Sequence, residues 1–186
     1  MPEDSVRDQI IYRRKHEVDP EEYLLAGGVI EECEDEKELQ FTSEFSEVLA
    51  NEITIAEEVG VRKAAIAQLF GVSVSEIIDQ NREYEAYKIG DSIYKWPSRA
   101  ALLFDLAIDT AMRKISENWD SIPPKLRHDM AKSLRLFQDR CYFCEGVVET
   151  GQEIVESCCS QRGVLTFRCV DCDRRFLEFS AQIQKQ

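Results

Sequence analysis

Four cysteines in the last quarter of the 186-residue chain carry its sharpest chemistry: Cys141-Tyr-Phe-Cys144 and Cys169-Val-Asp-Cys172, with 24 residues between the pairs. A Cys-x-x-Cys turn points two thiolates the same way from one tight loop. Two such loops close a tetrahedron around Zn²⁺, with Zn–S bonds of about 2.3 Å. Four thiolates leave no coordination position open for water, so the site reads as structural rather than catalytic. The 46 residues from Cys141 onward are too few to bury much core, and a metal staple lets so short a segment fold. Thioredoxin-like redox chemistry asks for a Cys-x-x-Cys that opens a helix in a βαβ setting, and neither pair has one.

Three stretches around these cysteines alternate as strands do: Glu153–Glu156, Val164–Arg168 and Arg175–Phe179. Pairs of cysteines at this spacing among short strands resemble a zinc ribbon, a module common in transcription and translation factors. That resemblance implies a small three-stranded unit over 139–182, with Cys141, Cys144, Cys169 and Cys172 as ligands. Cys158 and Cys159 complicate the path. If Val147-Val148 leaves the metal and Glu153–Ser157 returns, these two arrive near it, and the next strand leads Cys169 away. Either the first short strand is not separate, or Cys158 or Cys159 replaces a ligand. The first set is preferred, with Cys158 and Cys159 as packing residues or reserve ligands and Cys33 as a small strand residue.

Net charge is −13, but its distribution matters more than its total. Residues 1–60 hold 18 acidic and 5 basic side chains, residues 61–140 hold 11 and 13, and residues 141–186 hold 7 and 5. Acidity is therefore concentrated in the first third, and the middle remains free to approach phosphate. The excess of carboxylates, with 14 Arg to 9 Lys, suggests a salt-adapted source. No run approaches 18 consecutive apolar residues, and Met1-Pro-Glu-Asp has neither the basic nor the apolar region of a secretory signal. Seven cysteines, four of them in metal spacing, fit a reducing cytoplasm better than a disulfide scaffold.

The elements that must position the cysteines follow in order. Residues 1–19 suggest a short helix or a loosely held arm. Asp19-Pro20-Glu21-Glu22 starts a helix that stops at Gly27-Gly28. Val29–Cys33 and Glu38–Thr42 predict a hairpin around the turn Glu34–Lys37, and Ser43 caps the helix after it. This hairpin and helix resemble the wing and final helix of winged-helix regulators. The run from Lys63 through Gly71 to Gln80 resembles a helix-turn-helix core, with Ala67 at the close crossing, Gly71 in the turn and Ser73 capping the second helix. That resemblance implies that Ser75, Glu76 and Gln80 face a major groove, although Glu76 and Asp79 repel phosphate. An ordinary helix pair ending at a Gly turn is the alternative.

Glu83–Ile89 and Ser92–Trp96 flank Gly90-Asp91 as a two-residue hairpin. Ser98 caps a helix from Arg99 to about Ser116, whose apolar positions cover most of its circumference, so it is the buried core helix. A second helix, after Pro123-Pro124, is expected to reach Arg140 and run straight into Cys141. Its inward stripe is Leu126, Met130, Leu134 and Phe137, and Lys125, Arg127, His128, Lys132, Arg135 and Arg140 take the other positions. That outer face is either solvated or an anion-contacting surface.

No Gly-rich phosphate loop is present, and His16 and His128 have no nucleophile motif beside them. The chain is therefore read as α+β: a helical and hairpin main domain over 1–138, then a three-stranded zinc ribbon over 139–182. The functional expectation is a cytoplasmic, non-catalytic Zn²⁺ protein that binds nucleic acid or the transcription machinery. Lys63, Ser75, Gln80, Lys125, Arg127, Lys132 and Arg135 are its candidate nucleic-acid contacts. The alternative is an adaptor that binds a protein partner through the ribbon and the acidic N-terminal region.

Overall fold

A computed structural model describes residues 18–33, 38–82, 84–157 and 160–181. The expected arm before Val18, the turn Glu34–Lys37, Glu83, and Cys158 and Cys159 lie outside the described residues. The fold is α+β, with five α-helices and three antiparallel sheets among those residues. In order they are α1 (Pro20–Ala26), β1 (Ile30–Glu32), β2 (Leu39–Phe41), α2 (Ser43–Val59), α3 (Lys63–Phe70), β3 (Ile77–Asp79), β4 (Ala86–Ile89) and β5 (Ser92–Lys95). Then come α4 (Arg99–Ile115), α5 (Pro124–Leu134), β6 (Val148–Ser157), β7 (Ser160–Cys169) and β8 (Arg175–Ala181). No helix among the described residues is long and apolar enough to cross a membrane.

Helix α4 is the axis of the molecule. The Ser98 hydroxyl accepts the Ala101 amide at 3.1 Å and so starts it. Its buried positions then serve three apolar clusters. Phe104, Ile108 and Met112 join Leu49, Ile53, Trp119 and Leu134 on one side. Ala101, Leu102 and Leu106 join Ile66, Leu69, Ile77 and Trp96 on another. Ala100, at its N-terminal end, joins Cys141, Cys169 and Phe176 of the ribbon. A helix that is apolar nearly all round must be enclosed, and this one is.

Elsewhere the local signals work as expected, with small shifts. Asp19 Oδ1 accepts the amides of Glu21 and Glu22, and Gly90 joins β4 to β5 with φ of 57°. The cap of α2 is Thr42 rather than Ser43, because Thr42 Oγ1 takes the Phe45 amide. The β1–β2 strands are anchored in the core, where Ile30 and Phe41 are buried with Phe45 and Leu49 of α2.

The helix-turn-helix expectation fails after its first helix. Gly71 closes α3 in the left-handed region, with φ of 63°, but the next residues make only a 3₁₀ turn over Val74–Glu76. Glu76 reaches back to the Ser73 amide at 2.9 Å and closes that turn on itself. The β-branched pair Ile77-Ile78 then leaves as a strand and registers against Ile89 and Lys88. Ser75 therefore sits in a turn, bonded to Ser73, and the Gln80 side chain returns to the Ile78 carbonyl. Neither lies on a recognition helix.

Helix α5 also ends early. It stops at Leu134, passes through a 3₁₀ turn over Arg135–Phe137 and becomes extended at Gln138. Arg135, in that turn, reaches inward to a buried carboxylate.

Candidate metal centre and its mounting

The four cysteines Cys141, Cys144, Cys169 and Cys172 come together with all their sulfurs within 4.8 Å of one another. Cys141 and Cys172 are 3.8 Å apart, and Cys144 and Cys169 are 3.5 Å apart. Bonds of about 2.3 Å in a tetrahedron require sulfurs about 3.8 Å apart, so the cage already has the size of a metal site.

The two loops are built alike. In each, the amide of the first cysteine bonds the carbonyl five residues on: Cys141 to Gly146 at 2.8 Å and Cys169 to Arg174 at 3.0 Å. The amide four residues on returns to that cysteine's carbonyl: Glu145 to Cys141 at 2.7 Å and Asp173 to Cys169 at 3.0 Å. Glu145 and Asp173 consequently adopt left-handed backbone, with φ of 63° and 56°. Burial pushes the Cys141 thiol well above its ordinary value. At Cys172 burial pushes the same way, but the Arg174 amide and the neighbouring thiols outweigh it and bring the thiol down to about 7. A metal must displace protons from such a cluster, so binding weakens as pH falls.

Gly146 lets the two loops approach. A Cβ there would lie 2.2 Å from Asp171 Oδ2 and 2.8 Å from Asp171 Cβ. Gly146→Ala is therefore expected to force the loops apart at a cost of about 1–3 kcal/mol. A competition titration with a chromogenic chelator should show weaker metal binding, and unchanged affinity would refute the close-approach role.

The strand path answers the question that Cys158 and Cys159 raised. β6 is one continuous strand from Val148 to Ser157, and β7 returns beside it in register, Val148 against Cys169 and Ser157 against Ser160. The first short strand is not separate, so β7 runs toward the cysteine cluster and delivers Cys169 to it.

The ribbon is fastened to the main domain from both loops and from β8. Tyr142, between the first two cysteines, and Phe176 of β8 meet Phe104 of α4 at ring distances of 5.9 and 6.3 Å. The Tyr142 hydroxyl reaches Ser46, and Arg174 bonds Glu57 at 2.8 Å. The Ser98 hydroxyl bonds the Arg175 carbonyl, and Arg135 Nη1 donates to the Phe176 carbonyl at 2.9 Å.

Arg135 leads to a polar network that the sequence did not disclose. Asp105 of α4 is fully buried; its Oδ2 accepts the Trp96 indole N–H at 2.7 Å together with Arg135 Nη2, and its Oδ1 accepts Arg135 Nε at 2.7 Å. One turn further, buried Asp109 accepts the Trp119 indole at 2.8 Å and Arg113 Nε at 3.0 Å, with Arg127 3.9 Å away. Arg127 also bonds Asp120 at 3.1 Å. Two expected nucleic-acid contacts, Arg127 and Arg135, are thus 3% and 1% exposed: Arg135 is committed to buried Asp105, and Arg127 lies between buried Asp109 and the exposed Asp120. The cost of burying an unpaired guanidinium is offset by the buried carboxylates Asp105 and Asp109 beside them. Lys63, Lys125 and Lys132 are exposed.

His128 is mostly enclosed as well, with its ring 5.3, 5.2 and 5.6 Å from those of Phe70, Tyr94 and Trp96. Its Nε2 makes no hydrogen bond, and Asp105 is 4.0 Å away. Burial lowers its pKa, the attraction of Asp105 and Asp129 opposing and the repulsion of Arg135 and Lys132 assisting. The unfolded chain therefore takes up this proton first as pH falls below about 6.5, and stability is lost in that direction. Chemical denaturation at pH 7 and pH 5 should show this loss, and His128→Gln should remove part of the difference. An identical pH dependence in the variant would show that His128 contributes none of it.

A family model described as the central domain of a family of unknown function (DUF8054) matches residues 19–136. The model of the same family's C-terminal domain matches residues 139–179. No curated protein and no solved structure matches the chain.

Proposed function

The chain belongs to the DUF8054 family, and from its geometry we propose that it is a non-catalytic Zn²⁺ protein that binds nucleic acid. Cys141, Cys144, Cys169 and Cys172 hold the ion. Zn²⁺ suits four thiolates in a tetrahedron, and elemental analysis separates it from iron, which also takes four sulfurs. A closed set of this kind organises the fold and leaves no site for a reacting water. The cytoplasmic setting expected from the cysteines keeps such thiolates reduced.

The observation that carries the nucleic-acid reading is how the cations divide. Arg113, Arg127 and Arg135 spend their charge on Asp105, Asp109 and Asp120. Lys63, Lys88, Lys95, Lys125 and Lys132 stand exposed, and none forms an ion pair with a carboxylate among the described residues. Free surface ammonium groups are what a polyphosphate backbone recruits, through release of its counterions. Ser75 and Gln80 have no place in this contact once the recognition helix is gone.

The test is fluorescence anisotropy with zinc-loaded protein, duplex DNA and single-stranded RNA across a salt series. Affinity should fall log-linearly with salt, and Lys125→Glu/Lys132→Glu should weaken it further and flatten the slope. No binding at low salt would sink the reading. It would move the function to a protein adaptor, which a different surface favours: an apolar groove of α2, α3 and α4 lined by Ile55, Val59, Leu103 and Leu106. Ile55 and Val59 are each 44% exposed there.

A further inference from the structure

We propose that the cleft between the main domain and the ribbon is a binding site for one nucleotide unit of a single strand, its base stacked on Tyr84 and its phosphate held by Lys95 and Lys132. This rests on the nucleic-acid reading above and adds to it the site and the form of the ligand. The cleft has a volume of about 300 Å³, and its walls come from elements far apart in the chain. Tyr84 and Lys95 come from the three-stranded β3–β5 region, Trp96 and Pro97 from the link to α4, Lys132 from α5, and Leu177 and Glu178 from β8.

The chemistry of those walls is selective. Tyr84 is 37% exposed, and the Lys95 ammonium lies over its ring, 5.7 Å from the centre, so an aromatic ring and a cation are presented together. Lys132 supplies a second ammonium across the cleft. Neither lysine is paired to a carboxylate among the described residues. Arg135 and Trp96 also line the cleft, but Arg135 is committed to Asp105 and the Phe176 carbonyl, and the Trp96 indole N–H is committed to Asp105. They make a fixed floor rather than adjustable donors. Glu178 is the one carboxylate in the lining among the described residues. Arg175 lies 3.5 Å from it, and its oxygens suit the exocyclic amine of a base better than a phosphate.

A ring beside two ammonium groups is the pattern by which proteins hold single strands, stacking a base and neutralising its backbone. A duplex keeps its bases stacked inside and cannot lay one in so small a recess. Shape therefore favours the single strand, where charge alone would accept either form.

The experiment uses zinc-loaded full-length protein with a fluorescein-labelled mixed-sequence 12-nucleotide single strand and the matching duplex, both at one salt concentration, and AMP as competitor. The single strand should bind at least about tenfold more tightly than the duplex. Tyr84→Ala should lose about tenfold in affinity for it, while Tyr84→Phe retains it. Lys95→Gln and Lys132→Gln should each reduce the salt slope by about 0.7. Trp96 should report the same event by quenching of its fluorescence. All these side chains but Trp96 are exposed, so the variants should keep wild-type zinc content and melting temperature. Equal affinity for strand and duplex, or no loss in Tyr84→Ala, overturns the cleft while leaving nucleic-acid binding in place. Failure of both probes to bind overturns the broader reading as well. Binding of AMP without binding of the oligonucleotide overturns the strand and leaves a free nucleotide as the source of the same chemistry.

Discussion

Cys169→Ser is expected to abolish stoichiometric metal binding and to unfold the ribbon. One zinc per chain should be found in the wild type by elemental analysis, and well under one in the variant. Cys169 is fully buried at the end of β7, next to Phe176 and Ala100. Losing it opens the cage at the point where the sheet meets the core. Structural zinc sites contribute about 10–16 kcal/mol of apparent binding free energy at neutral pH, which is more than a segment of this size gains from burial. Chelation of the wild type should do the same. Hydrogen exchange should speed up along β6–β8 and, to a lesser degree, around Ser46 and Phe104, because Tyr142 sits on both. Exchange that is unchanged along β6–β8 after complete removal of the metal would show that the sheet folds without it.

Asp105→Ala should be the most damaging substitution outside the metal cage. It strands the Arg135 guanidinium and the Trp96 indole N–H in a fully buried site. Breaking a buried pair from one side costs about 3–5 kcal/mol. For a chain of this length that lowers the melting temperature by about 10 °C or more. The effect should reach the ribbon, since Arg135 also holds the Phe176 carbonyl. Replacing both charges, Asp105→Leu with Arg135→Met, should recover part of the loss, because no charge is then left alone. It should not recover all of it, since the Phe176 carbonyl and the Trp96 N–H stay unpaired. A melting temperature in Asp105→Ala within about 1 °C of the wild type would contradict this account.

These two effects differ in how readily the sequence announces them. The four-cysteine cluster was legible because a Cys-x-x-Cys loop is a local device: four residues specify two thiols, and the repeat of the motif supplies the other two. Helix α4 was legible for a similar reason, with Ser98 marking its start and apolar residues around its whole circumference. Asp19-Pro20 at α1 and Gly90-Asp91 between β4 and β5 are local in the same sense. In each case the deciding contacts lie within a few residues of one another, where composition and spacing describe them fully.

What the tertiary structure decided lies elsewhere. After Gly71 the pattern of residues allows a second helix, but pairing of Ile77 and Ile78 with β4 makes that stretch a strand. On α5, helical spacing places Arg127 and Arg135 on the outer face with the lysines. Their burial depends on Asp105, Asp109 and Asp120, and Arg135 meets Asp105 across 30 residues of sequence. The cleft with Tyr84, Lys95 and Lys132 likewise exists only once the ribbon is fastened beside β5 and α5. Cysteine spacing, caps and turns act through bonds between near neighbours and can be read in order. A buried ion pair or a shared cleft depends on which distant elements meet, because desolvation is offset only when the partner arrives with it.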